Sequence, residues 1–158
     1  MNSEYEYSFN VTNIEEYINY CKNNNYRHLG TTKQTRTIYR NSNGTIARIT
    51  IEKGKKIEKK LDFKEDKISD KDLVIRKESK AIKFNNLHNC EDILCFLNYK
   101  KDNVLIRERY IYTNDKVKFE IDNYIEPKAM VVAFEGEKDA VDNVYKELEE
   151  TLNLIYKC

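Results

Sequence analysis

The sequence predicts an α+β fold with about eight antiparallel strands, enough to close a β-barrel, and three helices. Two patterns predict it: a period-two alternation of apolar and polar residues over much of the 158-residue chain, and three segments with helical periodicity. With only four glycines and one proline, the chain has little material for a linker. We therefore predict a single domain spanning residues 1–158.

Three segments have apolar residues at helical spacing. The first is NIEEYINYC, with Thr12 and Glu15 placed as a capping box and the asparagines of 23–25 ending the run. The second is EDILCFLNY, where one face carries Ile93, Phe96 and Leu97. The third lies near the C-terminus, with a stripe formed by Val141, Val144, Leu148, Leu152 and Ile155. We expect all three stripes to pack on the core.

Between the helices, charged and apolar residues fall on opposite faces of the predicted strands. TIARITIE places Ala47, Ile49 and Ile51 on one face and Arg48, Thr50 and Glu52 on the other. At the N-terminus, SEYEYSF separates Glu4 and Glu6 from Tyr5, Tyr7 and Phe9. Other predicted strands are QTRTIYR, IEKKLDF, LVIRKES, NVLIRERYIY, FEID and VVAFEGE.

Two arrangements satisfy this alternation. In an ordinary sheet the apolar face packs on helices and the charged face is solvated. In a barrel with helices packed outside, the charged face lines the lumen instead. The pattern alone favours the ordinary sheet, because solvated charged faces are common.

Composition limits the partners and the compartment. The 28 Lys and Arg residues nearly cancel the 27 Asp and Glu residues, so we expect no nucleic-acid or membrane partner. No apolar run approaches the roughly 20 residues that a spanning helix needs, and we expect a soluble, cytoplasmic protein. With two histidines and no CxxC pair, the sequence lacks a zinc-site spacing, and we expect free thiols at Cys21, Cys90, Cys95 and Cys158.

Taken in order, six stretches of the sequence resemble the CYTH domain of the triphosphate tunnel metalloenzyme superfamily. They are EYEYS, QTRTIYRNSNGTIARIT, VIRKES, EDILCFLNYKKDNVLIRERYIYT, VKFEIDNY and VAFEGE. The resemblance covers almost the whole chain, and no single stretch is diagnostic without the order and spacing of the others. It implies a closed eight-stranded antiparallel tunnel with helices outside, and a lumen that holds a triphosphate between basic side chains with Mg²⁺ or Mn²⁺ on acidic ones.

The resemblance also implies roles for particular residues. The matched phosphate-binding positions are Arg48, Lys77, Arg107 and Arg109, with Arg76 competing for the role of Lys77 because the register of that strand is weak. Arg36, which stands where the family has an acid, is expected to add a phosphate-binding cation. The matched metal-binding positions are Glu4, Glu6, Asp122, Glu135 and Glu137, while Glu120 shares the face of Asp122. No catalytic side chain is assigned, because positioning and charge neutralisation supply most of the rate in phosphoryl transfer.

Four positions depart from the family pattern. Ser8 replaces a lysine, Arg36 an acid, Thr50 an arginine and Ala133 a glutamate. The resemblance implies a metal-dependent enzyme that hydrolyses inorganic triphosphate or a nucleoside or thiamine triphosphate. A class IV type adenylyl cyclase is one alternative. The departures motivate another, a non-catalytic protein that binds nucleotide or polyphosphate.

Overall fold

The computed structural model describes the backbone of residues 2–65 and 73–152 and the side chains of residues 5–65 and 77–152. Three helices lie in this part of the chain: α1 (Glu15–Asn23), α2 (Leu87–Phe96) and α3 (Lys138–Leu152). The strands there are β1 (Asn2–Asn10), β2 (Arg27–Arg40), β3 (Thr45–Lys53), β4 (Ile57–Glu65), β5 (Leu73–Glu78), β6 (Ile82–Lys83), β7 (Lys100–Thr113), β8 (Val117–Glu126) and β9 (Ala129–Gly136).

The strands form one curled antiparallel sheet. Its order is β3-β2-β7-β8-β9-β1-β5-β4-β6, and β3 also pairs with β4 along nine residue pairs. Between β4 and β5 the pairing narrows to Lys64 opposite Glu78. The α+β class and the antiparallel sheet are therefore confirmed, whereas complete closure of an eight-stranded tunnel stays a prediction. The two-residue strand β6 extends the sheet beyond the predicted set.

The curl of the sheet decides between the two arrangements that the sequence left open. On β3, Ala47 and Ile49 are buried in an apolar cluster with Leu94 of α2. The alternate residues Arg48 and Thr50 face a cavity enclosed by the sheet. The apolar face is thus the outer, helix-covered face, and the charged face points inward.

The larger apolar core lies between the outer face of the sheet and the helices α1 and α3. Phe9, Phe119 and Phe134 are fully buried there, with the rings of Phe119 and Phe134 stacked at 5.1 Å. The predicted stripe of α3 is confirmed at Val141, Val144 and Leu148, which are all buried. Leu152 packs partly against this core, and Ile155 lies outside the described residues.

Two predictions about the helices are wrong in detail. The N-cap of α1 is Ile14, without a side-chain cap bond, and Asn13 rather than Thr12 accepts a hydrogen bond from the first turn, at Glu15 N. In α2 the buried residues are Cys90 and Leu94, while the side chains of Ile93, Phe96 and Leu97 are exposed. The face differs because α2 begins at Leu87, capped by Asn86, earlier than the sequence pattern indicated.

None of the helices in the described ranges is long and apolar enough to cross a membrane.

Candidate functional site

The curled sheet encloses a cavity of about 460 Å³, lined by side chains from eight strands. Its charged lining is balanced. In the described part of the chain, the acidic side chains that line it are Glu6, Glu52, Asp62, Glu78, Glu120, Asp122 and Glu135. The basic side chains that line it there are equal in number: Arg36, Arg48, Lys60, Lys64, Arg107, Arg109 and Lys118. Since ions are costly to bury alone, the pairing of these groups determines what the cavity can bind.

Arg48 belongs to a carboxylate network on one wall. Asp62 lies opposite Arg48 in the register of β3 and β4, and it accepts two hydrogen bonds from the guanidinium, from Nε at 2.9 Å and from Nη2. Glu78 accepts a third from Nη2 at 2.6 Å. Burial alone would lower the pKa of Arg48, but the two carboxylates outweigh it and raise that pKa above its usual value. The charge of Arg48 is therefore already neutralised by the protein.

Arg109 is neutralised in the same way on another wall. Asp122 is its register partner on β8 and accepts from Nε and Nη2, both at 2.8 Å. Glu120 accepts from Nη1 at 2.6 Å. Burial would lower the pKa of Arg109, but these carboxylates raise it above its usual value. The bidentate pair uses both oxygens of Asp122, so this predicted metal ligand faces an arginine.

The pKa of Glu120 shows how strongly the acidic and basic side chains of the cavity interact. Burial opposes its ionisation, but the charges of Arg109 and Lys118 outweigh burial and, with smaller contributions from Arg36 and Arg107, lower the pKa of Glu120 to about 2. Because that pKa lies below the ordinary value of 4.5, Glu120 stabilises the fold at neutral pH, and this contribution is lost as pH falls from about 4.5 toward 2.

Arg107 is held differently. Its side chain is only 3% exposed, and its Nε and Nη1 donate to neutral groups, Gln34 Oε1 at 3.0 Å and Tyr124 Oη at 2.6 Å. Asp122 Oδ2 is 3.5 Å from Nη1. The second amino group, Nη2, is buried and has no hydrogen-bond partner among the described residues. A buried charged donor left unpaired is costly, so an acceptor brought to Nη2 would be stabilised there.

Arg36 also lacks a carboxylate within salt-bridge distance in the described part of the chain. Its Nε donates to Thr50 Oγ1 at 2.9 Å. Burial lowers the pKa of Arg36 well below its usual value, and the charges of Arg107, Arg48 and Arg109 lower it further, against a weaker opposing effect of Glu120. An anion bound near Arg36 would relieve this repulsion.

Three carboxylates converge in the cavity. Glu6, Glu120 and Glu135 each present an oxygen, and the three oxygens lie within 4.8 Å of one another. Glu6 and Glu135 are register partners on β1 and β9, which explains why they meet. Hard carboxylate oxygens at this spacing fit Mg²⁺ or Mn²⁺, especially when phosphate and water supply the remaining ligands.

Several solved structures share this fold at 9–19% sequence identity. A conserved hypothetical protein from Pyrococcus furiosus has a TM-score of 0.75 at 19% identity, over 96% of this chain and 91% of that one. A Vibrio parahaemolyticus protein described as a candidate adenylate cyclase has a TM-score of 0.66 at 12% identity, over 95% and 86%. HpAC1 from Hippeastrum, described as having a dominant triphosphatase activity, has a TM-score of 0.67 at 11% identity, over 98% and 90%. The chain shares the fold of these proteins, which supports its resemblance to the CYTH domain.

The divergence is visible in sequence comparison. No family model matches the chain, and no curated protein matches it. The resemblance to the CYTH domain is therefore carried by the order of the sequence motifs and by the shared fold.

The structure brings most of the CYTH-matched positions into one cavity. Its lining includes Glu6, Arg36, Arg48, Arg107, Arg109, Asp122 and Glu135. Lys77 and Glu137 are exposed, and neither is among the described residues that line the cavity. Lys77 precedes the inward Glu78, and alternation places neighbouring residues on opposite faces. Glu137 follows the last residue of β9 and begins the turn into α3. The side chains of Glu4 and Arg76 lie outside the described set.

Several functional candidates were missed from the sequence. On β4 the cavity is lined at every second position, by Lys60, Asp62 and Lys64. The alternation within IEKKLDFK would have predicted that these three side chains share one face of the strand. Lys118 was missed as well, although it lies two residues before Glu120 on β8, and its Nζ is 2.9 Å from Glu135 Oε1. Gln34 and Tyr124 carried no signal, because their importance depends on their contact with Arg107.

The different pairing of the two buried arginines gives a stability prediction. Arg109→Met leaves Asp122 and Glu120 without their main partner, and we expect the free energy of unfolding to fall by about 3–5 kcal/mol. Arg107→Met removes a charge whose hydrogen-bond partners are neutral and whose nearby Asp122 keeps its bidentate pair with Arg109, and we expect a loss of about 1 kcal/mol. Urea unfolding of both variants without ligand measures the difference. Equal losses would mean that both arginines are structural and would contradict the assignment of Arg107 to a ligand.

Proposed function

We propose that the cavity binds a triphosphate-containing small molecule together with Mg²⁺ or Mn²⁺, and that the protein hydrolyses it. The observation that carries this proposal is the buried, unpaired Nη2 of Arg107, beside an Arg36 that has no carboxylate at salt-bridge distance among the described residues. Neither guanidinium donates a hydrogen bond to a carboxylate within the described residues, and both therefore suit the oxygens of a phosphoryl group, which accepts from arginine in a bidentate manner.

The balanced lining explains why the ligand would need a metal. The described residues place seven basic and seven acidic side chains around the cavity and so supply no surplus positive charge. A triphosphate is strongly negative, so its entry into this enclosed space is favourable only with accompanying cations. Glu6, Glu120 and Glu135 are the residues that would hold such a cation, which when bound would polarise the phosphoryl group.

The side chains of this chain would bind and orient rather than attack. Arg107 and Arg36 would hold phosphoryl oxygens and offset the negative charge that develops during transfer. Arg48 and Arg109, already paired with carboxylates, would keep the walls of the cavity in place. A closed tunnel, with the single pair between β4 and β5 as its seam, would limit the access of water to the ligand.

The comparison with one solved structure favours hydrolysis over cyclisation as the proposed reaction. HpAC1 from Hippeastrum shares the fold and is described by a dominant triphosphatase activity. Cyclisation of ATP is the second candidate, since the Vibrio parahaemolyticus protein of this fold is described as a candidate adenylate cyclase. Hydrolysis needs only water and a held triphosphate, whereas cyclisation also needs an oriented ribose.

The proposal is tested by product analysis. Purified protein is incubated separately with tripolyphosphate, thiamine triphosphate and ATP, each with Mg²⁺ or Mn²⁺, and the products are separated. We expect release of phosphate or pyrophosphate. Cyclic AMP from ATP would establish the cyclase instead, and binding without turnover would establish a non-catalytic binder. If none of the three ligands binds by calorimetry, the assignment of the cavity to triphosphates is wrong.

Arg36→Met tests the phosphate-binding role of a position where the family pattern has an acid. We expect tripolyphosphate affinity to fall about ten-fold or more, because a charged donor is lost. Stability without ligand should hold or rise, since the repulsion by Arg107, Arg48 and Arg109 is relieved. Calorimetry and urea unfolding measure the two effects, with Arg27→Met as the control because Arg27 is in an exposed ion pair with Asp115. A less stable variant with unchanged affinity would contradict this role.

Glu135→Gln and Glu137→Gln form a matched pair for the metal site. Glu135 lies in the carboxylate group, whereas Glu137 is exposed beyond the end of β9. We expect Glu135→Gln to weaken the Mg²⁺ dependence of tripolyphosphate binding by about ten-fold, because one hard anionic ligand is lost. Glu137→Gln should leave that dependence unchanged. Titrating Mg²⁺ at fixed tripolyphosphate measures both, and the reverse ranking would favour a metal site built on Glu137.

A further inference from the structure

Arg107 is the one arginine of the cavity, among the described residues, that two neutral side chains hold. Its Nε donates to Gln34 Oε1 at 3.0 Å and its Nη1 to Tyr124 Oη at 2.6 Å. The guanidinium carbon also lies 5.4 Å from the centroid of the Tyr124 ring, within the range of a cation–π contact. These contacts fix the plane of the guanidinium and leave Nη2 as its unpaired donor.

The backbone register places both neighbours beside Arg107. Gln34 is its partner on β2, and Tyr124 is its partner on β8, just after an irregularity between Ile106 and Arg107. All three side chains line the same cavity. Arg107 is thus held from both sides by groups on rigid strands, an arrangement that defines a donor's direction better than a loop would.

The neutrality of the two partners has an electrostatic consequence. Arg48 and Arg109 are fixed by carboxylates, which cancel their charge. Gln34 and Tyr124 fix Arg107 with comparable geometry but without cancelling its charge, and the carboxylate nearest in the described set, Asp122, is 3.5 Å away while engaged with Arg109. A fixed and uncompensated donor loses little entropy when it meets an anion.

We propose that Gln34 and Tyr124 are positioning residues that hold Arg107 so that its Nη2 meets a phosphoryl oxygen of the ligand, and that they thereby set the affinity for the anion. This inference rests on the proposed function of the cavity. It assigns the two residues an effect that passes through Arg107 rather than through their own contact with the ligand.

A double-mutant cycle tests the route of the effect. Tyr124→Phe removes the hydroxyl and keeps the ring, and Gln34→Met removes the acceptor at similar volume. Each is made in the natural protein and in Arg107→Met, and tripolyphosphate binding with Mg²⁺ is measured by calorimetry. We expect each variant to weaken binding about three- to ten-fold in the natural protein and to have no further effect in Arg107→Met.

Tyr110→Phe is the matched control, because Tyr110 packs against the apolar core outside the cavity. We expect no change in its affinity. Equal losses in both backgrounds would mean that Tyr124 or Gln34 touches the ligand directly, and this would overturn the positioning role. Unchanged affinity in the natural background would overturn it as well.

A second readout does not depend on measurable binding by Arg107→Met. In ligand-free protein, NMR follows the exchange with water of the Arg107 Nε–H in Gln34→Met and of its Nη1 protons in Tyr124→Phe. We expect exchange about ten-fold faster than in the natural protein, while Tyr110→Phe exchanges at the natural rate. If the exchange rates of the Arg107 protons are unchanged in these variants, Gln34 and Tyr124 do not fix the guanidinium, and the proposal is wrong. If the natural protein binds no tripolyphosphate, the proposed function fails, whatever the exchange rates are.

Discussion

The cross-strand pairing of buried opposite charges is the constraint on which this structure depends. A sheet that turns its charged face inward must neutralise that face, because an unpaired ion in a poorly hydrated space costs several kcal/mol. The register supplies the pairs: Arg48 lies opposite Asp62 on β4, and Arg109 lies opposite Asp122 on β8. These pairs explain how the fold can place fourteen charged side chains around one cavity and still pack its apolar face under the helices.

The same constraint separates structural charges from functional ones. An arginine with its own carboxylates gains little from a bound anion, since its charge is already compensated. Arg36 and Arg107 are not compensated in this way, as Arg36 donates to Thr50, and Arg107 donates to Gln34 and Tyr124. Among the described residues the cavity is therefore balanced in charge but uneven locally. The unpaired Nη2 of Arg107 would suit an anion, and the group of three glutamates would suit a cation, a combination that fits a metal–phosphate ligand.

The sequence predicted which residues face inward far better than which residues pair. Alternation within a strand is local, so Arg48, Arg107 and Glu135 could be assigned to the charged face from their neighbours alone. The choice of carboxylate for each arginine depends on the register between strands, which one sequence does not contain. The pairing of Asp122 with Arg109 was therefore not predicted. Where alternation is poor, as around Lys77, even the facing was uncertain. The buried face of α2 was mistaken because its start at Leu87 was not recognised.

The departures from the family pattern fall on register partners. Ser8 lies opposite Ala133. The family pattern has a lysine and a glutamate at these two positions, and this chain has lost both. Because the two charges are lost together, neither is left buried without its partner. Arg36 lies opposite Thr50, where the pattern has an acid and an arginine. Here the acid is lost while a cation is kept on the other strand. The first exchange removes a neutral pair, but the second leaves a partly buried guanidinium that donates to a hydroxyl rather than to a carboxylate. Degeneration of an unused cavity would favour the first kind of exchange, because an uncompensated buried cation destabilises the empty protein. Its presence therefore argues that this divergent cavity still binds an anion.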